Sequence, residues 1–216
     1  PVVHSAACQT LIGRNRSRTD LRAGRFSRSD VDHVLNETWS AFERMEVDVS
    51  TEPTFGSRMN VQLAALTLAF FQSLQSAGVP KDEAIEWVGD VCWNIYQLWG
   101  RYGQLVQRWF HTDPIVGNTR RIGNDGSWRL AFPFNPPGYL ARYCPIKNGI
   151  GFNVVHCPVA DFFRMHQASE LGFRTWCMLD YPLAEMINLH LTRTQTLMGG
   201  DPHCDFRWTR ANQSSE

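Results

Sequence analysis

Three short stretches hold the side chains best suited to chemistry. In "NVVHCPVADFF", His156 and Cys157 end a β-branched, aromatic run just before Pro158. The thiol is therefore expected at a helix N-terminus, where the dipole and free amides favour thiolate, the nucleophilic form. In "WCMLDYPLAEMI", Cys177 and Asp180 are three apart, which puts a thiol and a carboxylate on one helix face. In "MGGDPHCDFRW", Gly199, Gly200, Asp201 and Pro202 supply turn chemistry that returns His203 and Cys204 toward the other two stretches. A thiol, a carboxylate and an imidazole titrating near neutral pH suffice for nucleophilic attack coupled to proton transfer. The same soft ligands, Cys157, Cys177 and Cys204 with His203 or His156, are enough in number for tetrahedral zinc. Their separations of twenty and twenty-seven residues nevertheless lack the short C-x-x-C pairs of structural zinc sites.

These residues need elements to position them. "SRSDVDHVLNETWSAFERMEV" spaces Val31, Val34, Leu35, Trp39, Phe42 and Met45 by threes and fours, so a helix capped by Ser29 or Asp30 is expected. "MNVQLAALTLAFFQSLQSAG" is apolar nearly all round and ends at Gly78, as a central buried helix would. A third helix follows Pro80, with Asp82 and Glu83 in its first turn and Cys92 on its apolar stripe, where a small core residue is the expected role. Gly89, Gly100 and Gly103 mark places where another segment can approach it. The last third reads strand ("GIGFNVVHC"), two short helices, strand ("LHLTRTQTLMGG") and strand ("HCDFRW"), with Cys204, Phe206 and Trp208 on one face of the last.

The expected class is α+β: a helical N-terminal half packed on a small antiparallel sheet with two further helices. Residues 1–28 read as an arginine-rich N-terminal arm carrying Arg14, Arg16, Arg18, Arg22, Arg25 and Arg28. Residues 29–216 read as one catalytic domain, with 29–110 helical, 111–145 a proline- and glycine-rich loop or lid, and 146–208 the sheet with its two helices. Cys8 and Cys144 lie in segments too irregular to read.

Composition bounds the function. Basic and acidic side chains number 21 each, so no global field favours a polyanion, and nucleic acid is not expected as a partner. No apolar run approaches the ~18 to 20 residues of a membrane span. Six cysteines spread over 216 residues lack the density of a secreted disulfide scaffold, so reduced thiols in a cytoplasmic compartment are expected. Thirteen Phe and eight Trp suit a core or pocket rich in aromatic surface, and a small-molecule ligand.

The three thiol-bearing stretches, together with "NVQLAALTLAFFQSLQSAGVPKDEAIEWV", resemble the L-2-amino-thiazoline-4-carboxylic acid hydrolase family over about 58–208. The shared features are a Cys-containing strand end, a C-x-x-D segment and a C-terminal "tl..Gd..CdF" signature. The resemblance implies hydrolysis of a carbon–nitrogen bond in a small cyclic amidine, opening a 2-aminothiazoline ring to a carbamoyl-cysteine product. It matches Cys157, Cys177, Asp180 and Cys204 to motif positions without saying which is catalytic. A thiolate at Cys157 or Cys177 would attack the amidine carbon, or Asp180 would activate water or hold the amidinium, with His156 or His203 moving protons. Arg193 is a candidate clamp for a substrate carboxylate unless it faces solvent, and Trp176 and Tyr181 are candidate substrate contacts. No cofactor is expected on this reading, zinc being its alternative. Two further alternatives are a lyase or isomerase of the same family acting on another natural product, and a non-catalytic small-molecule domain, since the C-terminal half also resembles 4-vinyl-reductase-type sensor domains.

Overall fold

A computed structural model describes residues 2–12, 26–45, 47–110, 126–127, 130 and 133–211, without the side chains of 99, 102, 103, 106–108 and 110. The first half is helical: α1 (Val2–Leu11), α2 (Arg28–Arg44), α3 (Phe55–Ser76) and α4 (Lys81–Phe110). The cap of α2 is Ser27, not Ser29 or Asp30. The Asp30 carboxylate accepts from the Ser27 amide at 2.8 Å, which makes Asp30 the third-position half of a capping box. A second box, Thr54 with Ser57, starts α3 at Phe55, four residues earlier than its apolar pattern suggests. Gly78, at φ +82, ends that helix in the left-handed conformation a side chain would resist. As expected, α3 is buried on most sides, through Ala64, Ala65, Leu68, Ala69 and Leu74.

Part of the 1–28 segment is ordered helix and not a free arm. Ala7 and Leu11 of α1 are buried against the core, and α1 packs on α4 and α2. Arg28 opens α2, whereas Arg14, Arg16, Arg18, Arg22 and Arg25 lie outside the described residues, as do 111–125 of the expected lid.

The second half is a four-stranded antiparallel sheet of β1 (Leu140–Tyr143), β2 (Gly149–His156), β3 (Leu189–Thr192) and β4 (Cys204–Arg210), in the order β1-β2-β4-β3. The architecture is therefore α+β, with most helix in the N-terminal half. The C-terminal strand sits inside the sheet, opposing Val154 with Cys204 and Phe152 with Phe206 on one side, and Leu191 with Trp208 on the other. β1 falls within the segment read as loop. Between β2 and β3 come α5 (Pro158–Met165), α6 (Ser169–Thr175), a 3-10 turn (Cys177–Leu179) and α7 (Asp180–Met186). The expected single helix over "VADFFRMHQASELG" is broken at Gln167, whose φ of +54 cannot continue an α-helix. The expected strand over "LHLTRTQTLMGG" stops at Thr192 and turns into a 3-10 segment at Leu197–Gly199.

One apolar core joins the halves, from Ala7, Val34 and Leu68 through Val88 to Ile150, Val154 and Phe163. Contacts of α5 with α3 and of α6 and α7 with α4 hold the thiol-bearing segments over the helical layer. A Cβ on Gly100 of α4 would meet the Met186 side chain of α7 at 2.9 Å, so the glycine permits that approach. Among the described residues no helix is long and apolar enough to cross a membrane.

Candidate active site

The centre of the site is a buried cation. Just past β3, Arg193 turns inward until its side chain is 1% exposed. Its Nη1 donates to Asp180 Oδ2 at 2.7 Å and its Nη2 to the Cys177 carbonyl at 2.7 Å. The guanidinium lies between two rings, 5.3 Å from the Tyr181 centroid and 5.0 Å from that of Phe206. The Tyr181 hydroxyl donates to the Arg193 carbonyl at 3.1 Å. Arg193 therefore does not face solvent, and its two terminal nitrogens are engaged inside the protein. It anchors Asp180, while its buried Nε has no partner among the described residues. Tyr181 likewise serves the anchor.

The C-terminal signature explains why the chain leaves the sheet at Arg193. Asp205 Oδ1 accepts from the amides of Thr194 at 2.8 Å and Gln195 at 2.6 Å, and Oδ2 accepts from the Thr194 hydroxyl at 2.7 Å. Asp201 accepts from the Thr196 amide at 2.7 Å, and the Thr196 hydroxyl accepts from Gly199 N at 2.9 Å. Cys204 joins this brace, its sulfur accepting from Leu197 N at 3.2 Å. The two carboxylates take amides that would otherwise extend β3, so the signature holds Arg193 in place.

Around this anchor, burial decides the charges. Cys157 occupies the N-cap position of α5, and the first-turn amides of Ala160 and Val159 favour its thiolate, but burial is the larger effect and pushes the thiol up to about 12. Burial also raises Cys177 well above the ordinary thiol range, with the Asp180 charge adding to it. Cys204 is raised as well, mainly by burial. The resting thiols are thus neutral, and the thiolate expected of the helix terminus is absent at rest. Burial pushes the Asp180 carboxyl up to about 6 against the opposing pull of Arg193, so it is ionised at neutral pH. Burial opposes the Arg193 charge too, but Asp180 more than compensates and the cation is secure.

The histidines stand outside this group. His156 Nδ1 bonds the Gly138 carbonyl at 2.9 Å, and Nε2 lies 3.3 Å from Asp161 of α5, with the side chain 42% exposed. His203 sits half-buried in the turn before β4. Neither touches Asp180 or Arg193 among the described residues. Two tyrosines and an asparagine went unnoticed in the sequence. Asn60 Nδ2 donates to the Tyr139 hydroxyl at 2.9 Å inside the core. Burial first, and then the charge of a Cys157 thiolate, hold that phenol above its usual range. Burial first, and then the charge of Asp180, raise the Tyr96 phenol of α4 above its usual range. The available signal was Asn60, an amide on the buried face of an otherwise apolar helix. Among the described residues no three His, Cys, Asp or Glu side chains converge on one point.

An apolar cavity of about 100 Å³ lies on the helical side, with Thr67, Cys92, Tyr96 and Trp176 in its wall. Trp176 therefore lines a pocket, as a substrate contact would. The other face of α4 carries a depression of about 470 Å³, lined by Glu86, Asp90, Trp93 and Arg174. Neither wall includes Cys157, Cys177, Cys204 or Asp180.

No curated protein and no solved structure matches the chain significantly. A family model does match, and it spans 58–208, from the first turns of α3 through Cys157, Cys177, Asp180, Arg193 and Cys204. The chain belongs to the L-2-amino-thiazoline-4-carboxylic acid hydrolase family.

Proposed function

We propose that the protein hydrolytically opens the ring of a small cyclic amidine of the 2-aminothiazoline type. One observation carries the reading: Asp180, ionised at neutral pH, is fixed by a buried arginine that also holds the backbone of Cys177, a thiol kept neutral by burial. An amidine is a base that becomes a cation when protonated, and Asp180 suits it. Only Oδ2 of this carboxylate is taken by Arg193, and Oδ1 has no partner among the described residues.

A neutral thiol is then an advantage. Cys157 gives its proton to the ring nitrogen as the amidinium settles on Asp180, and the sulfur, now an anion facing the first-turn amides of α5, adds to the amidine carbon. The tetrahedral adduct collapses with scission of a ring bond, and water displaces the sulfur, returning the proton to Cys157. The sum is one water added. Carbon–nitrogen scission leaves the substrate sulfur as a thiocarbamate, whereas carbon–sulfur scission releases a free thiol.

The test is mass spectrometry of L-2-amino-thiazoline-4-carboxylate incubated with the protein, with a thiol assay on the product. Gain of one water, lost in Cys157→Ala, is the expected result. Binding without turnover would instead favour a non-catalytic ligand-binding domain, and wild-type rates in both Cys157→Ala and Asp180→Asn would remove these residues from the chemistry.

A further inference from the structure

A second group of chemistry-bearing side chains stands where α1 meets α2, outside the matched span of 58–208. His4 and Cys8 are four residues apart in α1, which sets them one turn apart on the same helix face. α2 packs against α1 and brings Asp32 to that face. The imidazole touches both neighbours: His4 Nδ1 lies 3.8 Å from Cys8 Sγ, within hydrogen-bond range for a sulfur, and Nε2 lies 2.8 Å from Asp32 Oδ1.

The two contacts agree on one tautomer of the neutral ring. An ionised Asp32 can only accept, so Nε2 carries the proton and donates to it, and the Nδ1 lone pair faces the S–H of Cys8. Nucleophile, base and orienting carboxylate are thus in the order that activates a thiol. The group is open to solvent, since the side chains of His4 and Asp32 are 40% and 51% exposed and Cys8 is half-buried. None of the three lines either cavity described above, so the geometry suits a small reagent arriving from solution.

We propose that Cys8 is a site of thiol–disulfide exchange with small disulfides of the glutathione type, with His4 as its base and Asp32 as the residue that orients His4. His4 Nδ1 takes the thiol proton as the Cys8 sulfur attacks one sulfur of the reagent. A bond forms between those two sulfurs, the reagent's own S–S bond breaks, and the departing thiolate recovers the proton from His4. The Cys8 thiol is oxidised to a mixed disulfide while half of the reagent is reduced to one free thiol. The reagent is the only oxidant, and the hydrolytic site takes no part.

The experiment exposes the full chain briefly to bis(2-hydroxyethyl) disulfide and reads modification at each cysteine by peptide mass spectrometry. The probe is uncharged, so its approach does not depend on charges that the substitutions remove. Cys144, also half-buried, is the internal reference. At pH 7 Cys8 should react about tenfold faster than Cys144, and His4→Gln should remove that advantage. Asp32→Asn, which still offers the Nε2 proton an acceptor, should remove part of it. Each variant is first checked for a native circular dichroism spectrum. The ratio of native to His4→Gln rates at Cys8 should be largest near pH 7 and shrink toward pH 9.5, where an unassisted thiol ionises by itself. A ratio constant over that range would report altered access alone and overturn the proposal. Equal rates at Cys8 and Cys144 in the native protein, or a Cys8 rate unchanged or raised in His4→Gln, would overturn it as well.

Discussion

The helical layer and the C-terminal layer satisfy their polar groups in opposite ways. On the helical wall, Thr38, Thr67 and Thr175 are each closed onto a carbonyl one turn back, and the surface they leave is apolar. On the side built by α5, α7 and the β3–β4 connection, capacity is left over: the Arg193 Nε is buried without a partner among the described residues, and one oxygen of the partly exposed Asp180 is not taken by Arg193. Burying polar groups that are not fully paired is costly, so a fold tolerates it where a ligand completes the set. On the function proposed above, the chemistry belongs to the second.

Arg193→Met should break the comparison hardest. It strips the counter-charge from Asp180 and two ring contacts from the guanidinium site, and removing one partner of a buried pair costs about 3–5 kcal/mol. Chemical denaturation would read the loss, and turnover should vanish with it. Adding Asp180→Leu should restore much of the stability and none of the activity, since a buried pair can be replaced by apolar groups but its chemistry cannot. If Arg193→Met alone is as stable as the native protein, Arg193 is not the anchor.

Next comes Cys157→Ala, which should lower turnover about a thousandfold or more while costing about 1 kcal/mol, the scale of a small buried side chain. Retained turnover would shift the attack to water.

Much of this was legible in the sequence, and the gaps have physical causes. Apolar period revealed α2, α3 and α4, with Gly78 and Pro80 marking where α3 ends and α4 begins, and the turn chemistry before Cys204 revealed a strand carrying Phe206 and Trp208 on one face. The position of β4 inside the sheet depends on pairing with β2 from far back in the chain, which no local pattern encodes. Cys157, Cys177 and Asp180 were visible as reactive types, but their protonation was not. Burial, a tertiary quantity, overrode the helix terminus at Cys157. Arg193 read as a clamp for a substrate carboxylate unless it faced solvent, on a strand expected to run on past it, and its inward turn is made by Asp205 and Asp201, whose role as brace appears only when the hydrogen bonds are seen. Tyr96 and Tyr139 were silent because an aromatic on a helix or near prolines is ordinary core.

Asp180→Asn separates ionisation from burial. Activity that needs the carboxylate should fall as pH drops through about 6, and the asparagine variant should lose about a hundredfold and show no such limb. Stability should run the other way. A carboxyl raised in the folded state contributes stability that is fully present below its unfolded value, near 3.9, and lost as pH rises through about 6. Thermal unfolding of the native protein between pH 4.5 and 7 should therefore contain a decline that Asp180→Asn lacks. A decline that persists in the variant belongs to other groups.

The smallest effect tests whether the signature acts through Arg193. Asp205→Asn keeps the size of the side chain but replaces one acceptor oxygen with a donor, facing the Thr194 and Gln195 groups that now donate to it. Losing charge-assisted bonds at this partly exposed position should cost about 1–2 kcal/mol. Its carboxyl is held below the usual range because, although burial opposes it, those hydrogen bonds prevail. Its contribution is therefore present above the unfolded value and lost as pH falls below about 4, the reverse of Asp180. Asp205 touches no substrate on this reading, so any catalytic loss must come from a displaced Arg193 and, behind it, a misplaced Asp180. That predicts a shifted acid limb near pH 6 together with a lower kcat. A purely structural brace would lower the midpoint of unfolding and leave the limb where it was.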